Sequence, residues 1–309
     1  MQSLDRSHFR AVMGLVLARM LSRVPFSVGL WLARPMGWIL VRVLRSRREV
    51  CARNIEVCFP ELSRAQQAQL VDACFVENAF GVFETAWAWY RPPSFLDGRL
   101  RFENLELVSN ALATGRGVLL IGAHYSCLDL SGVMMYRAVG RYTASFRLHD
   151  NAILNEEMVR QRGKYIDLVN VRDTRDIVQR LKSGELLWFG FDQDMGPRGS
   201  VFAPFFGQPA CTVKTPARLI DVTQSIPIFM RVHRSEGCYI VRFEAFPSWY
   251  PSSDHVQNAT ALNAMLENAL RDAPAQYIWM HKRFKTAPGG TRGDFYRRER
   301  RADASIARK

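Results

Sequence analysis

The sequence predicts an α/β fold: a mixed sheet flanked by helices, with an N-terminal hydrophobic membrane-anchoring helical segment. Three observations carry that expectation. From residue 100 onward, short apolar runs of strand character alternate with runs of helical period. Hydrophobic residues are 48% of the 309, enough for a large core. The first 48 residues are apolar but are broken repeatedly by arginine.

That opening segment sets the first element. Residues 11–18 are followed by Arg19 and Arg23, residues 24–33 by Arg34, and residues 35–41 by Arg42, Arg45, Arg47 and Arg48. No stretch reaches the roughly 18 uncharged residues of a clear spanning helix. Arginines at this spacing, with Trp31 and Trp38 among the apolar residues, suit interfacial helices that extend their charges to the headgroups. A helical hairpin in one leaflet is the expectation, with a span over 11–33 as the alternative. No small-residue cleavage site follows a short apolar core, so a removed signal peptide is not expected.

Ser63 and Gln66 form a capping-box pattern, which starts a helix running to about Tyr90. Its second half carries Phe80, Phe83, Trp87, Trp89 and Tyr90, suited either to core packing or to lining an acyl groove. Beyond it, strands are predicted at 117–121, 142–147, 166–170, 185–191, 226–232 and 238–246. Helices are predicted at 126–138, 151–162, 174–182, 212–222 and 257–272. The chain divides into a basic, hydrophobic membrane anchor (1–48), a main domain (49–290) and a basic, partly disordered tail (291–309).

The net charge of +13 sits at the ends. Residues 1–48 carry nine arginines against Asp5 alone, and residues 291–309 carry seven basic and three acidic side chains. The body is therefore almost neutral. Basic ends on a neutral body suit an anionic membrane surface better than a nucleic acid, which favours basic residues spread along a binding face. No nucleic-acid partner is expected. The six cysteines form no C-x-x-C pair and no metal-ligand spacing, as expected of reduced thiols in a reducing compartment.

Chemistry is suggested by His124 and Asp129, which follow the apolar run 117–122. In a continuous helix, residues five apart lie about 140° from each other. The pair therefore makes sense only with His124 in the turn after a strand and Asp129 in the first turn of the next helix. A histidine there can take a proton near neutral pH, and a carboxylate can fix its tautomer. Cys127, inside the same run, is an alternative nucleophile. Ligands gather beyond the carboxyl ends of strands in such sheets. Asp192 and Asp194 follow another predicted strand and should share that rim. Two further polar clusters are Arg147 to Asn151 and Arg160 to Gly163, and a third runs from Asp192 to Arg198. Two carboxylates without further ligands do not make a metal site, so Asp192 and Asp194 are expected to hold arginines or their loop. No Gly-x-Ser-x-Gly elbow is present.

These segments, with Arg53-Asn54-Ile55, Phe59-Pro60-Glu61-Leu62-Ser63, Pro204-Phe205-Phe206-Gly207 and the run Ala275 to Thr286, resemble the lipid A late acyltransferases, in particular the lauroyl type. These sit within the lysophospholipid and glycerol-phosphate acyltransferase superfamily with its His-x4-Asp/Glu signature. The resemblance covers nearly the whole chain. It implies a glycerol-phosphate acyltransferase-like domain at the cytoplasmic face of a bacterial inner membrane. It also implies transfer of an acyl chain from acyl carrier protein to a hydroxyl of a lipid A precursor, with no cofactor beyond that donor. His124 then resembles the general base and Asp129 its orienting partner. Asp replaces the Glu that many lauroyl-type relatives carry. A functional arginine downstream matches Arg160, with Arg162 the alternative. Arg147, Asn151, Arg162, Asp192, Asp194 and Arg198 are candidates for binding substrate. The run Trp279 to Lys285 is either a basic rim or a structural C-terminal segment. Acylation of a lysophospholipid or other glycerolipid, and non-catalytic lipid binding, are the alternative functions.

Overall fold

The computed structural model describes residues 6–288 and 294–296. Three helices come first: α1 (Arg6–Leu21), α2 (Phe26–Val43) and α3 (Arg45–Cys58). The long α4 (Arg64–Tyr90) begins at the expected capping box, in which Ser63 and Gln66 each bond the other's backbone N–H. Phe75, Phe80, Phe83 and Trp87 of α4 are fully buried. None of the residues lining the large apolar cavity described below comes from α4, so Phe80, Phe83 and Trp87 serve core packing.

Two elements with no predicted counterpart follow, β1 (Leu100–Glu103) and α5 (Glu106–Ala113), and then the predicted alternation: β2 (Val118–Gly122), α6 (Leu128–Val139), β3 (Tyr142–Phe146), α7 (Ala152–Arg162), β4 (Ile166–Asn170), α8 (Thr174–Lys182) and β5 (Leu186–Gly190). Next come β6 (Ser200–Phe205), β7 (Gln208–Val213), α9 (Thr215–Thr223), β8 (Ile226–Ser235), β9 (Cys238–Ala245) and α10 (His255–Asp272). Seven strands form one sheet in the order β1-β9-β8-β2-β5-β3-β4, parallel except for the β8/β9 pair. The mixed sheet flanked by helices is therefore present. Strands β6 and β7 form a separate antiparallel hairpin, and its second strand occupies the start of the helix expected at 212–222. Only Thr212 and Val213 fall in that range, and the run Gln208 to Cys211 shows no clean period from which a strand is predicted.

Strand β2 is buried along its whole length between β8 and β5. A parallel central strand covered on both faces needs this continuous apolar character. Strands β2 and β5 are in register, with Gly122 opposite Gly190.

The N-terminal helices are packed on the body on one side. Helix α2 buries Phe26, Gly29, Ala33, Gly37 and Val41, spaced by three or four residues, against α4. At Gly37 the helices approach so closely that a Cβ would lie 2.6 Å from the Cα of Val76. The opposite faces are apolar and open: Phe9, Val12, Met13, Val16, Leu17 and Met20 on α1, and Val28, Trp31, Trp38, Ile39 and Val43 on α2 are exposed. Among the described residues no single helix is long and apolar enough to cross a membrane; α2 and α3 pass that test only as a pair bent by 97°. Of the tail expected to be partly disordered, only 294–296 belongs to the described residues. There Tyr296 hydrogen-bonds Asn54 of α3.

Candidate active site

The site grows from the register of β2 and β5. His124 lies two residues beyond Gly122 and Asp192 two residues beyond the paired Gly190, so adjacent parallel strands deliver the two side chains to one point of the carboxyl rim. Asp192 holds His124 twice: Oδ1 lies 2.7 Å from His124 Nδ1, and Oδ2 accepts the His124 backbone N–H at 3.1 Å. The Tyr277 hydroxyl donates to Asp192 Oδ2 at 2.9 Å. An ionised carboxylate can only accept, so Nδ1 carries the proton and Nε2 presents its lone pair. Gly190 makes room for the ring, since a Cβ there would lie 3.0 Å from His124 Cε1. The Trp188 ring meets the imidazole edge to face at 6.3 Å.

The electrostatics suit a base. Burial disfavours the imidazolium, but the charge and hydrogen bond of Asp192 outweigh it and raise His124 above its ordinary value of 6.5. Burial also works against the Asp192 carboxylate, yet His124 and the hydrogen bonds hold it below the usual carboxylate range. His281 behaves oppositely. Burial pushes its pKa down to about 4, and its Nε2 accepts the Asp194 backbone N–H at 3.2 Å, so it stays neutral as a scaffold.

Asp129 is not the hydrogen-bond partner of His124. It sits in the first turn of α6, as expected, but its carboxylate receives a two-pronged bond from Arg162 at 2.8 and 3.1 Å and the Trp89 indole N–H at 2.9 Å. Burial raises its pKa, but Arg162 more than compensates and lowers it. Arg162, not Arg160, is therefore the arginine brought into the site. Two residues along a helix are about 200° apart, so only one of them can face it. Arg160 is exposed on the other side of α7 and pairs with Glu157 at 2.5 Å.

The other candidates divide. Arg147 and Arg198 line the cavity beside His124; Arg147 is largely exposed. Asn151 does not, because its side chain caps α7 by accepting from Leu154 N–H. Asp194 holds its loop, accepting from the Thr286 N–H and hydroxyl and from Gly196 N–H. Cys127 is buried, and burial together with the charge of Glu84 drives its pKa well above that of an ordinary thiol, which leaves no thiolate for attack. Among the described residues no group of three or more His, Cys, Asp or Glu is placed to hold a metal.

Residues 275–286 form the buried clamp of the site rather than a basic rim. Ser126 N–H donates to Gln276 O, and Ile278 N–H donates to His124 O at 3.1 Å, which fixes the loop carrying the histidine. Trp279 and Arg283 are fully buried, the latter bonding Cys211 O, Thr212 and Asn263. Tyr277 and Trp188 were missed from sequence because neither lies in a recognisable spacing. His124 and Asp192 meet beyond the ends of adjacent strands, but Asp192 holds His124 rather than the arginine or loop expected of it.

From His124 a cavity of about 490 Å³ runs under the sheet rim between α6, α7 and the ends of β3, β4 and β5. Its walls are mainly apolar: Leu128, Met135, Ala144, Met158, Ile166 and Leu168, with Asp129 and Arg162 near the polar end. The protein thus has a carboxylate-held histidine at the mouth of a largely apolar slot. A family model described as bacterial lipid A biosynthesis acyltransferase matches residues 2–286. The chain belongs to that family. It is an acyltransferase.

This acyltransferase is similar to the lipid A biosynthesis palmitoleoyltransferase of Escherichia coli K12, 30% identical over 274 residues covering 87% of this chain and 88% of the relative. It is 28% identical to the lauroyltransferase of the same organism over 285 residues, covering 90% and 92%. The myristoyltransferase there is 24% identical over 259 residues, covering 82% and 80%. The three relatives are named for three different acyl chains. Ala144 on β3 lines this slot and is itself nearly buried. Ala144→Leu adds three carbons, and preference among donors of graded length should shift about tenfold or more toward chains shorter by a few methylenes. Competition between donors in one reaction measures this.

Proposed function

We propose that this enzyme transfers a fatty acyl chain from acyl carrier protein to a hydroxyl of a lipid A precursor, working from the membrane surface. The observation that carries the reading is the His124–Asp192 pair at the mouth of an apolar slot. The slot takes the acyl chain and places the thioester carbonyl beside His124. His124 Nε2 takes the proton from the acceptor hydroxyl while the oxygen attacks the carbonyl carbon. Asp192 fixes the tautomer and stabilises the imidazolium that forms. Charge develops on the carbonyl oxygen, and Arg162 and the N-terminal turn of α6 are the positive groups near it. As the tetrahedral intermediate collapses, the C–S bond breaks and the imidazolium returns its proton to the leaving thiolate. The products are an ester and a free thiol, with no acyl-enzyme required.

The open apolar faces of α1 and α2 support attachment to one leaflet. Burial of such a face in the acyl boundary, with arginines at its edge, is the behaviour of an interfacial helix pair. In this reading the enzyme works at the cytoplasmic face of a bacterial inner membrane, where an acyl carrier protein can reach it. Mass spectrometry of lipid A from cells lacking this protein tests the acceptor: one secondary acyl chain is lost and returns with the wild-type gene. Unchanged lipid A overturns the assignment, and transfer to a lysophospholipid by the pure enzyme would install the alternative. Purified enzyme given acyl carrier protein or coenzyme A thioesters of the same chain tests the donor.

A further inference from the structure

A second, solvent-open concavity of about 540 Å³ lies on the far side of α7 from the acyl slot, bordered by the C-terminal ends of α1, α4 and α7. Its lining is cationic: Arg19, Arg23, Arg91, Arg160 and Lys164, with Ser22, Tyr90 and Gln161. No carboxylate belongs to that lining. Arg160 is neutralised by Glu157 behind it. Arg91 and Lys164 donate only to backbone carbonyls, of Ser22 and Val24 and of Trp89, which supply no negative charge. Burial and the nearby Arg160 lower the pKa of Lys164 against the opposing charge of Glu157, and burial lowers that of Arg91. Gln161 is buried, and its Oε1 has no hydrogen-bond partner.

Position narrows the ligand. Val12, Met13, Val16, Leu17 and Met20 form the exposed apolar side of α1, and Arg19 and Arg23 stand at the end of that helix. If that side lies in the acyl boundary, the cavity opens at headgroup depth. Concave, multiply cationic, and rich in arginine forks, it suits a phosphate better than the single carboxylates of a convex acidic protein. We propose that this cavity is a second lipid site, which binds the phosphate of an anionic lipid headgroup through Arg19, Arg23, Arg91 and Lys164. The site rests on the membrane-facing reading of α1 but not on the chemistry of His124. Two sources carry this group: a phospholipid of the bilayer, and a phosphorylated acceptor.

The test uses the full chain in a neutral detergent, following thermal unfolding. Dihexanoyl phosphatidic acid and dihexanoyl phosphatidylglycerol should raise the melting temperature, whereas dihexanoyl phosphatidylcholine should not. Arg23→Gln with Lys164→Gln should weaken that response about tenfold, the worth of lost charge-assisted hydrogen bonds. Arg45→Gln with Arg48→Gln removes the same charge from exposed positions of α3 and should leave the response intact. An acceptor KM that rises in the first pair only for a phosphorylated glucosamine disaccharide, and not for its dephosphorylated form, identifies the acceptor as the source. An unchanged KM with the lost thermal response identifies a bilayer phospholipid. Equal weakening in both pairs, no shift with either anionic lipid, or inorganic phosphate matching the lipids at equal concentration overturns the site. Flotation on phosphatidylcholine vesicles separates the two readings: if it persists while the thermal response is absent, the membrane face stands and the phosphate site falls.

Discussion

His124→Ala should abolish acyl transfer, and Asp192→Asn should lower it about 10²- to 10⁴-fold while leaving the fold intact. Asparagine is close in shape to aspartate, so the slot and the loop clamped by residues 276–278 are retained. What changes is the proton. The amide can donate to Nδ1, which drives the proton to Nε2 and blocks the lone pair that must accept from the acceptor hydroxyl. The pH profile gives the second readout. In the wild type, Asp192 raises His124 above 6.5, so kcat/KM should fall away on the acid side above that value. Without that charge, burial and Arg162 are the remaining influences, and both lower the histidine. The residual activity of Asp192→Asn should therefore persist to lower pH. Asp129→Asn leaves the Asp192 contact in place and should not produce that combination of tautomer block and displaced limb. A displaced limb in Asp129→Asn with a normal one in Asp192→Asn would return the partnership to Asp129.

The alternating elements were legible because periodicity reports burial directly: β4 and α8 occupy the predicted ranges, and β2, β3 and β5 are displaced by no more than a residue at either end. Strand β1 and the β6/β7 hairpin were not. Leu100–Glu103 is short and half-exposed, and its pairing with β9 spans more than a hundred residues of sequence, which no local pattern records. The site shows the same division. Spacing along the chain put His124 in a turn and Asp129 in a first helical turn, both as found. Which carboxylate meets the histidine is decided by strand neighbours, and β5 lies beside β2 only in three dimensions. Of the two arginines on one helix that the resemblance allows, only Arg162 turns toward the cavity, and which face turns inward is set by packing in three dimensions.

Arg162→Ala should cost about 3–5 kcal/mol of stability at neutral pH, because it strands the Asp129 carboxylate beside an apolar slot with only the Trp89 indole for company. The sign with pH follows from the pair. Arg162 depresses the Asp129 pKa in the fold, so its contribution is present above the ordinary carboxylate value of 3.8 and is lost as pH falls through the lower folded value. In Arg162→Ala the burial effect is opposed only by the Trp89 hydrogen bond and raises that pKa, so part of the deficit should be recovered on acidification below neutrality. Denaturant unfolding of wild type and variant between pH 5 and 8 measures both effects. The double change Asp129→Leu with Arg162→Leu removes both charges together and should recover most of the lost stability, since replacing a buried pair by apolar groups is often close to neutral. Activity then separates two roles. If Arg162 stabilises the oxyanion, the double variant is stable and remains slow by about 10²-fold or more with KM little changed. If activity returns along with stability, the pair serves only to hold α6 against α7, and the oxyanion must rely on the helix terminus alone.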